Sequence, residues 1–292
     1  MAMVLISATG FGTLAIFAKL AYASGLGTEQ TLAFRFTLAA IGMWALASAL
    51  GQQPWRLARK DLVTLGLLGA VVYTGQSLTY FIALRTLPAS LVVLIAYIYP
   101  SLVVVAGWIF LGRKVSVWHG VALAASFVGV AMLVGGAHFQ IAWALVFAIA
   151  SPAIYTGYIL IGERVMLSVP AVGASAVIMS GAALAFCVLA AFGHEAAAPR
   201  NVNGWAVAIG IAFFPTMLAI SLFLAGLPRI GAARAALIST WEPVVTVILA
   251  VALLGDRLSA VQVAGGVLVL LAVVVVQVAH LWRPGPPSAM KP

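Results

Sequence analysis

The 292 residues are 64% hydrophobic and only 7% charged, with a mean hydropathy of +1.18. So little polar surface excludes a water-soluble domain and makes the bilayer the solvent. Fifteen Lys and Arg against six Asp and Glu give a net charge of +9; they sit in short loops between apolar runs, where they meet anionic lipid and set orientation, so nucleic acid is not an expected partner.

A hydrocarbon core of roughly 30 Å needs about 20 apolar residues at about 1.5 Å each. Ten runs meet that length. In the first half they are Met3 to Tyr22, Thr31 to Leu50, Leu62 to Leu84, Ala89 to Leu111 and Val117 to Val134. The second half supplies Ile141 to Ile161, Val172 to Phe192, Trp205 to Leu227, Ala232 to Leu254 and Val261 to Leu281. None shows the period-two pattern of a membrane strand, so the expected fold class is an all-α membrane protein of ten transmembrane helices. The first run carries no Lys or Arg before Lys19 and reads as a spanning helix, not a signal peptide.

Turn signals such as Gly25-Leu26-Gly27, Gln52-Gln53-Pro54 and Gly135-Gly136 separate the runs and leave no room for an extramembrane domain. Residues 283–292, opening with Arg283-Pro284-Gly285-Pro286-Pro287, are expected to be a short disordered tail. The single Cys187 lies in an apolar run, so neither a disulfide framework nor a thiolate metal site is expected. Ten basic residues fall on the N-terminal side: Arg56, Arg59, Lys60, Arg113, Lys114, Arg164, Arg229, Arg234, Arg283 and Lys291. Lys19, Arg35, Arg85, Arg200 and Arg257 fall on the other. The positive-inside bias therefore makes both termini cytoplasmic.

A shift of 143 residues lays Leu87 to Val121 on Ile230 to Ala264 without a gap. Its informative part is a fixed register: mid-helix Pro100 with Pro243, Leu111-Gly112 with Leu254-Gly255, Lys114 with Arg257 and Ser116 with Ser259. Five helices per half is an odd number, so the second copy must enter the membrane upside down. The expected organisation is a five-helix repeat over 3–136 and an inverted repeat over 141–282. Inverted repeats enclosing a midplane site are the architecture of alternating-access carriers.

Ten spans in two halves, each with a mid-helix Pro followed by Leu-Gly-x-[Lys/Arg]-x-Ser, resemble the EamA family of the drug/metabolite transporter superfamily over nearly the whole chain. Within it, Ala96-Tyr97-Ile98-Tyr99-Pro100-Ser101-Leu102 and Ser239-Thr240-Trp241-Glu242-Pro243-Val244 are similar to stretches of YddG-type aromatic amino acid exporters. The resemblance implies export across a bacterial-type inner membrane through a central cavity that opens to either side in turn.

Pro100 and Pro243 each remove a backbone donor and leave the carbonyls of Ala96 and Ser239 without their usual partners. They mark either a packing kink or a hinge at matched depth. Glu242 lies near the middle of its run, about 15 Å from either end, too far to reach water. It is either a substrate- or proton-handling group or a structural hydrogen-bonding acid. Tyr73, Gln76, Ser77 and Tyr80 follow i, i+3, i+4, i+7 spacing on one helical face. Tyr97, Tyr99, Tyr155, Tyr158 and Trp241 also lie away from the ends of their runs, where a hydroxyl needs a partner that lipid cannot give. Trp55, Trp118, Trp205 and Trp282 stand near run ends and fit an interface belt.

His119, His138, His194 and His280 all lie at or near helix ends without zinc-type spacing, so no metal and no enzyme chemistry is expected. Arg35 and Arg234 read as helix-end residues that reach the interface, leaving no deep cation for a phosphate-bearing substrate. A nucleotide-binding loop is absent, so no cofactor is expected and ATP is not the direct energy source. The expected function is a secondary carrier for a small-molecule substrate, an amino acid with an apolar or aromatic side chain. Glu242, the Ser239 carbonyl and Tyr hydroxyls hold its ammonium, and aromatic walls hold its side chain; export of organic cations or drugs is the alternative.

Overall fold

A computed structural model of the chain describes residues 1–113, 115–135, 142–166, 169–193 and 198–278. Lys114, His138, His194, His280, Trp282 and the tail 283–292 lie outside the described residues. Ten helices are long and apolar enough to cross a membrane. They are α1 (Ala2–Ala23), α2 (Thr28–Ala49), α3 (Arg59–Thr86), α4 (Ala89–Leu111) and α5 (Val117–Gly135), then α6 (Trp143–Val165), α7 (Ala171–Phe192), α8 (Val202–Ile230), α9 (Arg234–Leu254) and α10 (Ala260–Val278). Among the described residues no strand occurs. The apolar runs underestimate some helices. α3 opens with Arg59, Lys60 and Asp61 because a first turn with free N–H groups tolerates charge and favours an acid.

Both copies of the Leu-Gly signature end their helices in the same way. Gly112 and Gly255 adopt left-handed φ angles of 61° and 72°. The following residue donates back six positions, Arg113 N to Gly107 O at 3.1 Å and Asp256 N to Ala250 O at 3.2 Å. A left-handed glycine with a six-residue bond satisfies carbonyls that would otherwise face lipid, so the shared motif has a structural cause.

Packing pairs α2 with α7, α5 with α10, α3 with α6, and α1 with α8. Exchanging every helix for the one five places away maps this set onto itself. Matching hydrogen bonds tie the last two pairs. The Ser151 hydroxyl of α6 donates to the Gln76 carbonyl of α3 at 3.3 Å, and the Ser7 hydroxyl of α1 to the Ala219 carbonyl of α8 at 2.6 Å. Gln76 and Ala219 are separated by the same 143 residues as the sequence repeat.

Small residues bring backbones into contact along two seams. A Cβ on Gly129 of α5 would stand 2.7 Å from the Gly265 carbonyl of α10, and one on Gly265 would stand 2.6 Å from the Gly129 carbonyl. Between α3 and α7, a Cβ on Gly69 would meet the Ile178 carbonyl at 1.9 Å, and one on Gly181 the Gly66 carbonyl at 2.2 Å. Lipid gives no hydrophobic drive between helices, so such close approach is what holds them together.

Three helices are interrupted: α1 at Thr13, α4 at Tyr97 and Ile98, and α9 at Thr240. In addition α3 and α8, equivalent by the pairing above, each carry one wide turn, Leu68–Tyr73 and Phe213–Leu218. A threonine serves each widened turn: Thr74 Oγ1 donates to Gly69 O at 2.9 Å and Thr216 Oγ1 to Ile211 O at 2.8 Å. The sequence reading did not contain these turns.

The two faces of the bundle are closed differently. On the N-terminal face Arg113 pairs with Glu163 at 2.7 Å, both about half exposed. On the opposite face Asp256 accepts from the Ser90 N–H at 3.0 Å and its hydroxyl at 2.8 Å, capping the start of α4.

Candidate functional site

The interruptions meet at the centre of the bundle. α4 runs as Ala89–Ala96 and Tyr99–Leu111, with Pro100 the second residue of its second segment. α9 resumes at Trp241–Leu249 with Pro243 third. At these prolines, which the sequence marks as packing kinks or hinges, each helix stops shortly before its proline and starts again. A proline in a first turn loses no hydrogen bond, because that N–H would have no partner anyway. The liberated Ser239 carbonyl is taken up across the bundle, 2.9 Å from the Tyr97 hydroxyl. The α1 break lies against the α9 break: Thr246 Oγ1 donates to the Gly12 carbonyl at 2.8 Å, and a Cβ on Gly12 would stand 2.9 Å from the Glu242 carbonyl.

Around this junction lies a cavity of about 290 Å³. Glu242 and Ser239 line it from α9, Tyr97 and Tyr99 from α4, Gln76 and Tyr80 from α3, and Tyr155 from α6. These seven residues, from four helices, are among those singled out in the sequence. Glu242 occupies the first turn of its segment, where the helix dipole favours negative charge. The Tyr97 hydroxyl stands 3.0 Å from Glu242 Oε2 as well as beside the Ser239 carbonyl, so one phenolic proton faces two acceptors. Gln76 Nε2 donates to Ser151 Oγ at 3.2 Å.

Trp241 and Tyr158 do not line the cavity. Trp241 precedes Glu242 on the same helix and so points about 100° away, with 41% of its surface exposed. Tyr158 stands behind the wall, stacked on Tyr155 at 5.6 Å and on Tyr73 at 5.0 Å. With Tyr99 against Tyr155 at 5.0 Å and Tyr97 against Tyr99 at 5.9 Å, five tyrosines form a continuous arc.

One end of that arc touches Glu242. The other, Tyr73, lies beside Arg35. This corrects the sequence reading, which sent Arg35 to the interface. Arg35 is only 4% exposed and lines the same cavity. Its Nε donates to Thr216 Oγ1, in the wide turn of α8, at 3.0 Å, and its guanidinium lies 4.8 Å from the Phe36 ring and 5.8 Å from the Phe81 ring. The signal was available: Leu32, Arg35, Phe36, Ala39, Ala40 and Met43 follow helical spacing and are all buried, so Arg35 shares the inward stripe of α2. A second recess of about 600 Å³, at the loops beside Gly25 and Pro199, includes none of the residues at the helix breaks.

The profile of the EamA-like transporter family matches residues 1–135 and again 142–278. The uncharacterized transporter YcbK of Bacillus subtilis (strain 168) is 28% identical over 275 residues, covering 89% of this chain and 87% of that protein. A solved crystal structure at 20% identity superposes with a TM-score of 0.67 over 97% of this chain and 98% of the other, a likeness of fold alone.

Proposed function

This chain belongs to the EamA-like transporter family, and from that premise we propose that it is a secondary carrier exporting amino acids with apolar or aromatic side chains by alternating access. It is a multi-pass membrane transporter and not an enzyme. The reading sets it in a bacterial-type inner membrane as two inverted five-helix repeats, 3–136 and 141–282, with both termini cytoplasmic. The exchange symmetry of the helix pairs and the twice-matched family profile support the repeat.

The observation that carries the substrate class is the tyrosine arc closing on Glu242 at the meeting of the broken helices. A carboxylate with the Ser239 carbonyl and the Tyr97 oxygen gives an ammonium three oxygen acceptors, and tyrosine faces suit an apolar or aromatic side chain. The same features also suit an organic cation, which keeps drug export as the second reading. Pro100 and Pro243 serve as hinges because each follows a break where only a tight turn, Ile98 N to Ile95 O and Thr240 N to Leu237 O, both at 3.2 Å, joins the half-helices.

Counterflow of labelled phenylalanine into proteoliposomes tests the reading. Wild-type protein is expected to concentrate the label against a phenylalanine-loaded lumen, and Pro100→Ala or Pro243→Ala to slow it severalfold at equal reconstitution, since each can re-form a helical bond across the break. No counterflow with any apolar amino acid overturns the substrate; unchanged rates in both variants overturn the hinges. Orientation is checked separately by reporter fusions. Fusions at Lys60 and Arg229 should read cytoplasmic and those at Arg85 and Arg200 periplasmic, and the reverse pattern would refute the charge argument.

A further inference from the structure

Among the described residues Arg35 has no counter-ion. Among the described residues the ion pair is Arg113 with Glu163, on the surface. Nε of the guanidinium donates to Thr216 Oγ1 at 3.0 Å, and Tyr73 is its other side-chain hydrogen-bond partner; both are neutral. Arg35 lines the cavity, so the guanidinium is presented to whatever enters it. A buried, unpaired cation in a membrane protein is strongly unfavourable and is retained where it acts on something that arrives. Its surroundings fix its pose: Phe36 and Phe81 hold the guanidinium plane, and the wide turn of α8 supplies the Thr216 hydroxyl.

We infer that Arg35 is a carboxylate anchor and that, with Glu242, it makes the cavity a two-point site for the zwitterionic head of an α-amino acid. This rests on the amino-acid reading above and deepens it. A guanidinium carries five N–H donors, more than Thr216 and Tyr73 use, and its terminal N–H groups form the fork that binds a carboxylate by paired hydrogen bonds. Tyr80 lies within electrostatic reach of both Arg35 and Glu242, and the tyrosine arc bridges the same two residues. Both charges thus line the same cavity. A zwitterion neutralises both; an organic cation leaves the guanidinium unmatched and is repelled by it. Phosphate esters would satisfy Arg35 but meet Glu242 with like charge.

The test is competition against phenylalanine counterflow by three probes sharing one ring: phenylalanine, phenethylamine without the carboxylate, and 3-phenylpropionate without the ammonium. Wild-type protein is expected to bind phenylalanine at least tenfold more tightly than either truncated probe. Arg35→Gln should weaken phenylalanine by about tenfold to a hundredfold while leaving phenethylamine unchanged or tighter. A merely structural arginine would weaken both alike. Should Arg35→Gln fail to fold, Arg35→Lys keeps the charge but loses the fork, and should weaken phenylalanine selectively. Equal competition by phenethylamine and phenylalanine in wild type overturns the assignment and leaves the cation-export reading. A preference for 3-phenylpropionate keeps Arg35 as an anion anchor and overturns the amino-acid reading itself.

Discussion

Glu242→Gln should weaken amino-acid binding by about twofold to thirtyfold, because a hydrogen bond to a charged group contributes about 1.5–3 kcal/mol against about 1 for a neutral one. The substitution keeps the shape of the side chain. Its amide can donate to the Tyr97 hydroxyl, which then donates to the Ser239 carbonyl, so the junction of α4 and α9 stays satisfied. Folding and expression should therefore match wild type, which separates the charge from the packing. The measurement is phenylalanine counterflow with and without an imposed pH gradient. Lower affinity under both conditions identifies an ammonium partner; unchanged exchange with a lost response to the gradient identifies a coupled proton instead. Wild-type behaviour in both would remove Glu242 from transport.

Gly69→Ala acts on the other side of the ledger, the fold. An added Cβ would stand 1.9 Å from the Ile178 carbonyl oxygen and 2.8 Å from its carbon, and backbone atoms cannot rotate aside as a side chain can. α3 and α7 must separate, with an expected loss of about 1–3 kcal/mol or more. Gly75→Ala, one turn or so further along α3, is the control. Its nearest neighbours are methyl carbons of Ile154 at 3.9 Å, so it should be neutral or slightly stabilising through helix propensity. Thermal unfolding of both variants in detergent compares them directly, and equal midpoints would show that the seam is not tight.

The ten crossings were legible because the bilayer imposes a length and a composition that few other constraints imitate. The matched ends of α4 and α9 were legible through Gly112 and Gly255, whose left-handed caps only glycine adopts easily. What the apolar runs by themselves left undecided was direction. Arg35 stands seven residues into α2, close enough to its end for a long side chain to reach water, and only the buried stripe it shares with Phe36 and Ala39 sends it inward. Trp241 shows the converse: adjacent to Glu242 and aromatic, it nonetheless faces outward because successive helix residues diverge. The wide turns of α3 and α8 left no trace that periodicity detects, since one extra residue in a uniformly apolar run changes no pattern. The break at Thr13 lacks a proline to announce it.

The glycine seams bear on how such a bundle can move. A carbonyl resting on a bare Cα has no rotamer to change and no side chain to re-pack, so it passes displacement on undiminished instead of absorbing it. Where Gly129 meets Gly265, sliding by even one residue would drive a side chain into backbone. α5 and α10 thus behave as one stiff beam, and α3 with α7 as another. On the alternating-access proposal compliance falls to the joints at Thr13, Tyr97 and Thr240, which adjoin the residues that surround the cavity.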